Sequence, residues 1–89
     1  GEIRGGHAYK TQSELVVALS GSFDVVVRDK KDNVGFHLNR SYIGILIPCG
    51  FWRHMENFST NSVALVISSD YFLEDDYIRN FDDYMLYEF

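Results

Sequence analysis

The chain has 89 residues with a formal net charge of -5, and 46% of them are hydrophobic and 16% aromatic. This length corresponds to one small domain, the apolar and aromatic content excludes a disordered chain, and the acidic balance argues against a nucleic acid partner. The single cysteine, Cys49, excludes an internal disulfide and favours a cytoplasmic location, and no apolar run is long enough for a membrane span.

Short apolar runs alternate with turn residues along most of the chain. A glycine pair leads into a first strand at residues 7–10, and valine-rich runs follow at 14–19 and 23–28. The polar segment 29–33 predicts a hairpin turn. Further strands are expected at 34–38, 42–47, 51–58 and 62–68. Strands rich in β-branched residues, separated by frequent turns, indicate an all-β sandwich or barrel.

The last part of the chain has a different pattern. Its aromatic and aliphatic residues recur near the helical period, and an acidic stretch at 74–76 lies between them. The recurring residues are Tyr71, Phe72, Tyr77, Ile78 and Phe81. Asp70 is a candidate N-cap for a helix that begins here. We therefore predict a single domain over residues 1–89, with strands over about 3–68 and a helical tail over about 70–84.

Two segments combine glycine with polar side chains. In the first, regular strand alternation puts Arg4 and Gly6 on one face and His7 and Tyr9 on the other. Glu14 follows shortly afterwards. The second segment covers residues 48–57 and contains Trp52, Arg53 and His54.

These segments resemble the two motifs of cupins, an HxH…E…G frame followed by a PxG…H…N frame. The first frame is matched by His7, Tyr9, Glu14 and Gly21, and the second by Pro48, Gly50, Arg53 and Asn57. Tyr9 and Arg53 stand at two positions where a cupin has a histidine ligand.

Arg53 changes the chemistry that this frame can support. A guanidinium stays protonated and has no lone pair to offer a metal. It can instead pair with Glu14, or hold an anionic substrate group or a developing oxyanion. His54 is one residue off the frame and points to the opposite face of a regular strand. We therefore expect no metal at this site.

A wider resemblance covers nearly the whole chain. The segments RGGHAYK, LSGSFDVVV, SSDY and DYIRNFDDY are similar to those of the WxcM-like cupins, a family that includes the dTDP-4-keto-6-deoxyglucose 3,4-ketoisomerases. The resemblance implies a cupin (RmlC-like) jelly-roll barrel with a short C-terminal helix. It also implies a homodimer to which N-terminal strands contribute, and we expect those strands to be missing from these 89 residues.

The resemblance further implies an isomerase that moves the keto group between C4 and C3 of a dTDP-linked 4-keto-6-deoxyhexose. The reaction passes through an enediol and needs no cofactor or metal. His7 matches the family's histidine and is the candidate base, Tyr9 a hydrogen-bond donor or proton relay, and Arg53 the group that holds the enolate oxygen. The candidate substrate-binding residues are Arg4 for the diphosphate, Trp52 for stacking, and Glu14 beside Arg53.

Two alternatives remain open from the sequence. One is a non-catalytic cupin domain that binds a sugar nucleotide within a larger protein, which would bind its ligand without exchanging sugar protons with solvent. The other is a metal-dependent cupin with iron or manganese on His7 and Glu14, which metal analysis would reveal.

Overall fold

The computed structural model describes residues 3–71 and 73–89, and most of its elements are strands. In chain order these are β1 (Arg4–Tyr9), β2 (Glu14–Ser20), β3 (Phe23–Arg28), β4 (Asn33–Leu38), β5 (Gly44–Ile47), β6 (Trp52–Glu56), β7 (Val63–Ser68) and β8 (Tyr77–Ile78). A 3-10 helix at Glu74–Asp76 precedes β8, and the helix α1 spans Phe81–Leu86. The predicted all-β class with a short C-terminal helix is confirmed.

The strands form two antiparallel sheets. One has five strands in the order β4-β3-β6-β1-β8, and the other has three in the order β5-β2-β7. Neighbours in these sheets are often distant in sequence: β2 pairs with both β5 and β7, and β6 lies between β1 and β3. This arrangement brings residues from both ends of the chain into one barrel.

The core lies between the two sheets and follows from strand alternation. Residues 14, 16 and 18 of β2 face inward, and Val16 and Ala18 join Phe23, Val25 and Ile47 in one buried cluster. Burial of each large apolar side chain contributes about 1.5–3 kcal/mol. Glu14 belongs to the same inward row, so a carboxylate lies at one end of an otherwise apolar interior.

A bulge in β1 corrects the expected placement of Arg4. Arg4 pairs with Met55 and His7 pairs with Arg53, so β1 advances three residues while β6 advances two. Gly5 takes a φ of 74°, which a glycine adopts without strain. The extra residue places Arg4 on the same face as His7, rather than on the opposite one.

The tail differs from the single helical segment expected over about 70–84. It consists of the 3-10 helix, β8 and α1, and the cap of α1 is Asn80, whose side chain accepts hydrogen bonds from the N–H groups of Asp82 and Asp83. The Asp70 carboxylate accepts a hydrogen bond from the adjacent Tyr71 N–H, and Phe72 lies outside the described residues. The apolar spacing reflects packing of short elements on the sheet, where Ile78 and Tyr84 contact Ala8 and Trp52.

Candidate active site

Polar side chains from four strands meet at one end of the barrel interior. The register explains their meeting: His7 lies opposite Arg53, Tyr9 lies opposite Tyr77, and Glu14 begins the neighbouring sheet. Directly opposed residues of an antiparallel pair point to the same side of the sheet. The structure thus brings together His7, Tyr9, Glu14 and Arg53, the four residues of this group that the cupin frames predict.

Glu14 is the centre of this cluster. Its Oε2 accepts a hydrogen bond of 2.8 Å from the Tyr9 hydroxyl and lies 3.6 Å from His7 Nε2. Its Oε1 accepts from Arg53 Nη1 at 3.3 Å. Only 3% of Glu14 is exposed, so these contacts replace the hydrogen bonds to water that the carboxylate loses on burial.

Arg53 is equally buried, with 2% of the residue exposed. Besides the ion pair with Glu14, its Nη2 donates to the backbone carbonyls of Phe51 at 3.0 Å and Pro48 at 3.4 Å. Its guanidinium carbon lies 5.2 Å from the centroid of the Tyr9 ring. The Nε atom has no hydrogen-bond partner within the described part of the chain. The guanidinium of Arg53 is therefore held in a fixed position, and its Nε–H makes no hydrogen bond to the described residues.

His7 has a buried nitrogen that lies 3.6 Å from Glu14 without a hydrogen bond. Its ring lies 5.0 Å from the Tyr9 ring and 5.4 Å from the Tyr77 ring, centroid to centroid. Among residues 3–71 and 73–89, nothing makes a hydrogen bond to its buried Nε2 atom. Buried polar atoms are nearly always satisfied in folded proteins, so an exception at this position is typical of a functional group.

The cluster shifts the pKa values of its members in different directions. Burial raises the pKa of Glu14, but the neighbouring His7 and Tyr9 side chains and the Arg53 charge lower it by more, so the pKa lies below its ordinary value. Burial raises the pKa of the Tyr9 phenol well above its ordinary value. Burial also lowers the pKa of Arg53, against the opposing effect of Glu14. At neutral pH the cluster therefore holds a carboxylate, a protonated phenol and a guanidinium.

The donor set does not suit a metal. Within the residues that the structure describes, no three His, Cys, Asp or Glu side chains are grouped closely enough to hold a metal ion. His7 and Glu14 are adjacent, but the guanidinium of Arg53 lies against the carboxylate that a metal would need. The expected frame is present, with a cation from the chain itself in the metal's place.

Two of the predicted substrate-binding residues lie elsewhere. Trp52 precedes Arg53 on β6 and so faces the opposite side of the sheet, where it packs against Phe81 and Tyr84. Arg4 shares the face of His7 but lies at the rim, with its guanidinium 5.7 Å from the Phe58 ring centroid. It lines an open cleft of about 550 Å³ beyond Met55.

Tyr77 also belongs to the cluster, although no sequence motif predicts it. Its hydroxyl oxygen lies 3.0 Å from that of Tyr9, and the two ring centroids are 4.7 Å apart. Ser68 is a second omission, with its hydroxyl 3.5 Å from the Tyr9 oxygen. No local pattern marks either residue, because Tyr77 joins the cluster only through the pairing of β8 with β1 across 68 residues.

None of the helices described is long and apolar enough to cross a bilayer.

Comparison with known proteins identifies relatives along the whole chain. The family model described as FdtA, WxcM-like, C-terminal matches residues 1–88. A TDP-4-oxo-6-deoxy-alpha-D-glucose-3,4-oxoisomerase from Aneurinibacillus thermoaerophilus is 35% identical over 86 residues, which cover 97% of this chain and 62% of the relative.

Solved structures give the same grouping. A 3,4-ketoisomerase from Helicobacter canadensis superposes with a TM-score of 0.91 at 35% identity, covering 96% of this chain and 64% of the other. The sugar 3,4-ketoisomerase QdtA from Thermoanaerobacterium thermosaccharolyticum, solved in complex with TDP, has a TM-score of 0.90 at 33% identity, covering 94% and 61%. This chain spans less than two thirds of the length of each of these three relatives. The match to the family model over residues 1–88, together with this similarity of fold, shows that the chain belongs to the FdtA family of WxcM-like C-terminal domains.

Proposed function

We propose that the protein is an isomerase that moves the keto group between C4 and C3 of a dTDP-linked 4-keto-6-deoxyhexose, without a metal or cofactor. The observation that carries the proposal is the buried His7 Nε2, which makes no hydrogen bond among the described residues and lies beside the ion pair of Glu14 and Arg53. Relatives at 33–35% identity include a TDP-4-oxo-6-deoxy-glucose 3,4-oxoisomerase and a ketoisomerase in complex with TDP. Their chemistry fits a site that combines a base with a fixed cation.

The reaction needs only proton transfers, and the cluster can supply them. His7 takes the proton from C3, and the electron pair of that bond moves toward the C4 carbonyl to give an enediolate. His7 exchanges the proton it holds with solvent and delivers a proton to C4, while the O3 proton moves to O4, which leaves a ketone at C3 and a hydroxyl at C4. Imidazole is suited to both directions of transfer because it gains and loses a proton near neutral pH.

Arg53 and Tyr9 are assigned to the oxygen that becomes negative. A preorganised charge in a site without water stabilises a developing oxyanion more strongly than it does in bulk solvent. Because burial raises the pKa of Tyr9, this phenol remains protonated and acts as a hydrogen-bond donor or relay. Glu14 holds both groups through its two oxygens and thereby orients them toward the substrate.

The substrate's diphosphate is assigned to Arg4 at the rim. Arg4 is exposed, lies on the His7 face, and lines the open cleft of about 550 Å³. A guanidinium binds phosphate oxygens in a bidentate manner. Trp52 is given a packing role instead, because its ring belongs to the cluster on the other side of β6.

We also propose a homodimer and a cytoplasmic location. The outer face of the three-stranded sheet carries a row of aliphatic side chains, in which Leu46 and Ile67 lie on either side of Leu15. Leu46 is 66% exposed and Ile67 is 50% exposed. Such a contiguous apolar surface is typical of an interface. The lone cysteine fits a reducing compartment.

Proton exchange with solvent is the decisive experiment. The full-length natural protein is incubated with dTDP-4-keto-6-deoxyglucose in D2O, and the sugar is followed by NMR. We expect a 3-keto product with deuterium at C4. TDP binding without product or deuterium incorporation would refute the isomerase and favour the non-catalytic binding domain.

A further inference from the structure

Tyr77 extends the hydrogen-bonded cluster beyond the residues of the cupin frames. It lies opposite Tyr9 in the β1–β8 pair, and the two phenol oxygens are 3.0 Å apart. Its ring also contacts the His7 ring at 5.4 Å between centroids. Tyr77 therefore contacts both the proposed base and the proposed relay.

The Tyr9 hydroxyl has three oxygen neighbours, of which Glu14 and Tyr77 are near and the Ser68 hydroxyl is more distant at 3.5 Å. It can donate its single proton to Glu14 at 2.8 Å or to Tyr77 at 3.0 Å. A carboxylate can only accept, whereas a tyrosine hydroxyl can accept or donate. Tyr77 is thus the nearer of two hydroxyl neighbours that allow the Tyr9 proton to change direction while Tyr9 keeps a hydrogen bond.

The segment that carries Tyr77 is fixed by its neighbour in sequence. The buried Asp76 carboxylate accepts hydrogen bonds from the Thr11 N–H at 2.9 Å, the Thr11 hydroxyl at 2.6 Å and the Gln12 N–H at 3.2 Å. The Asp76 carbonyl accepts a further bond from Lys10 N–H at 2.9 Å. These bonds tie β8 to the end of β1, so the distance between the Tyr77 and Tyr9 hydroxyls is set by the backbone.

We propose that Tyr77 is a positioning residue that acts through Tyr9: its hydroxyl orients the Tyr9 hydroxyl, and its ring supports the His7 ring. This inference builds on the proposed isomerase and adds a residue outside the cupin frames to that site. Tyr77 lies behind Tyr9 and needs no contact with the substrate. Loss of its hydroxyl should slow turnover without weakening substrate binding.

A double-mutant cycle in the full-length protein tests the kinetic part. Y77F keeps the ring, so the packing against His7 and Tyr9 is retained. We expect kcat to fall about tenfold with KM unchanged, since one hydrogen bond is removed. In a Y9F background, the same change should lower kcat less than twofold, because the partner hydroxyl is already absent. Wild-type kcat in Y77F, or equal losses in both backgrounds, would overturn the proposal. Y42F serves as the control, because Tyr42 is 78% exposed and lies in the loop between β4 and β5.

An NMR measurement tests the positioning without any turnover. The protein is labelled with ¹³C at the tyrosine Cζ atoms, and the Tyr9 signal is identified by its loss in Y9F. We expect Y77F to shift the Tyr9 signal and Y42F to leave it unchanged. An unmoved Tyr9 signal in Y77F would refute the contact. Failure of the isomerase would instead appear as absence of product from the wild-type protein, so the two failures are distinguishable.

Discussion

Glu14 and Arg53 form a buried ion pair whose value lies in its geometry. The two residues are 3% and 2% exposed, and their closest charged atoms are 3.3 Å apart. Desolvation of both groups offsets much of their attraction, so such a pair contributes little net stability relative to apolar residues. Removal of one partner, however, leaves an uncompensated charge in the interior. The pair thus keeps Arg53 charged at a fixed place near His7.

The Glu14 carboxylate makes stability depend on acidity. Its pKa in the folded protein lies below the ordinary value of 4.5, so its contribution is complete above about pH 4.5 and is lost as the pH falls through the folded-state value. We expect E14Q to be less stable than wild type by about 3–5 kcal/mol at neutral pH. Urea unfolding at several pH values should show this gap narrowing below about pH 4.5. A gap that stays constant into acid would contradict the assignment.

His7 and His54 offer a matched comparison across β6 and β1. His7 faces the interior, where its Nε2 lies 3.6 Å from Glu14 without a hydrogen bond, whereas His54 faces outward and pairs with Glu56 at 3.0 Å. We expect H7N to lower the isomerisation rate by about 100- to 10,000-fold, the usual contribution of a general base. Thermal stability and TDP affinity should stay close to wild type. H54N should retain normal turnover, and a normal rate in H7N would exclude His7 as the base.

Among the elements, the 3-10 helix is the one that fixes the tail to the barrel. Asp76 is 6% exposed and accepts three hydrogen bonds from the loop between β1 and β2, while the adjacent Asp75 is exposed. We expect D76A to lower the free energy of unfolding by about 2–4 kcal/mol, because two backbone donors lose their partner. Amide exchange in residues 73–78 should accelerate as β8 loosens.

Turnover is the second readout for this element. The D76A change should also lower kcat, since β8 carries Tyr77. The control D75A removes a charge of the same kind at an exposed position and should change neither stability nor exchange. Unchanged exchange in D76A would show that β8 is held by its strand pairing alone.

The strands were predictable from sequence to a useful degree, and the exceptions have physical reasons. The valine-rich runs correspond closely to β2 and β3, since β-branched residues fit a half-buried sheet. The β1 bulge was not predicted, because one extra residue depends on pairing with β6 rather than on local composition. In the tail, aromatic spacing near the helical period concealed β8, whose two residues are too few for an alternation to be recognised.

At the scale of the whole molecule, the spacing of two motifs was sufficient to predict which residues form the main site. His7, Glu14 and Arg53 come from three strands in two sheets, yet the frame predicted their meeting because cupin topology fixes where those strands lie. Trp52 and Tyr77 show the limit of this approach. Trp52 lies beside the frame in sequence and behind the sheet in space, whereas Tyr77 is far away in sequence and adjacent in space.

The two sheets differ in what covers their outer faces, and this difference argues for association. The C-terminal helix covers part of the outer face of the five-stranded sheet, where Trp52 and Tyr84 are buried. The outer face of the three-stranded sheet instead leaves Leu46 66% and Ile67 50% exposed, with Leu15 between them. Burial of such an apolar area against a second surface is favourable, because it removes the area from water.

In the proposed homodimer, a charge on that face should therefore separate the subunits. We expect L46E to convert the full-length protein from dimer to monomer in light scattering coupled to size exclusion, because a buried unpaired carboxylate opposes association. L86E is the matched control. Leu86 is 80% exposed and belongs to α1, which packs on the five-stranded sheet. The L86E variant should remain dimeric. A wild-type protein that is monomeric at micromolar concentration would refute the homodimer, and an L46E variant that stays dimeric would show that the row of Leu46, Leu15 and Ile67 is not its interface.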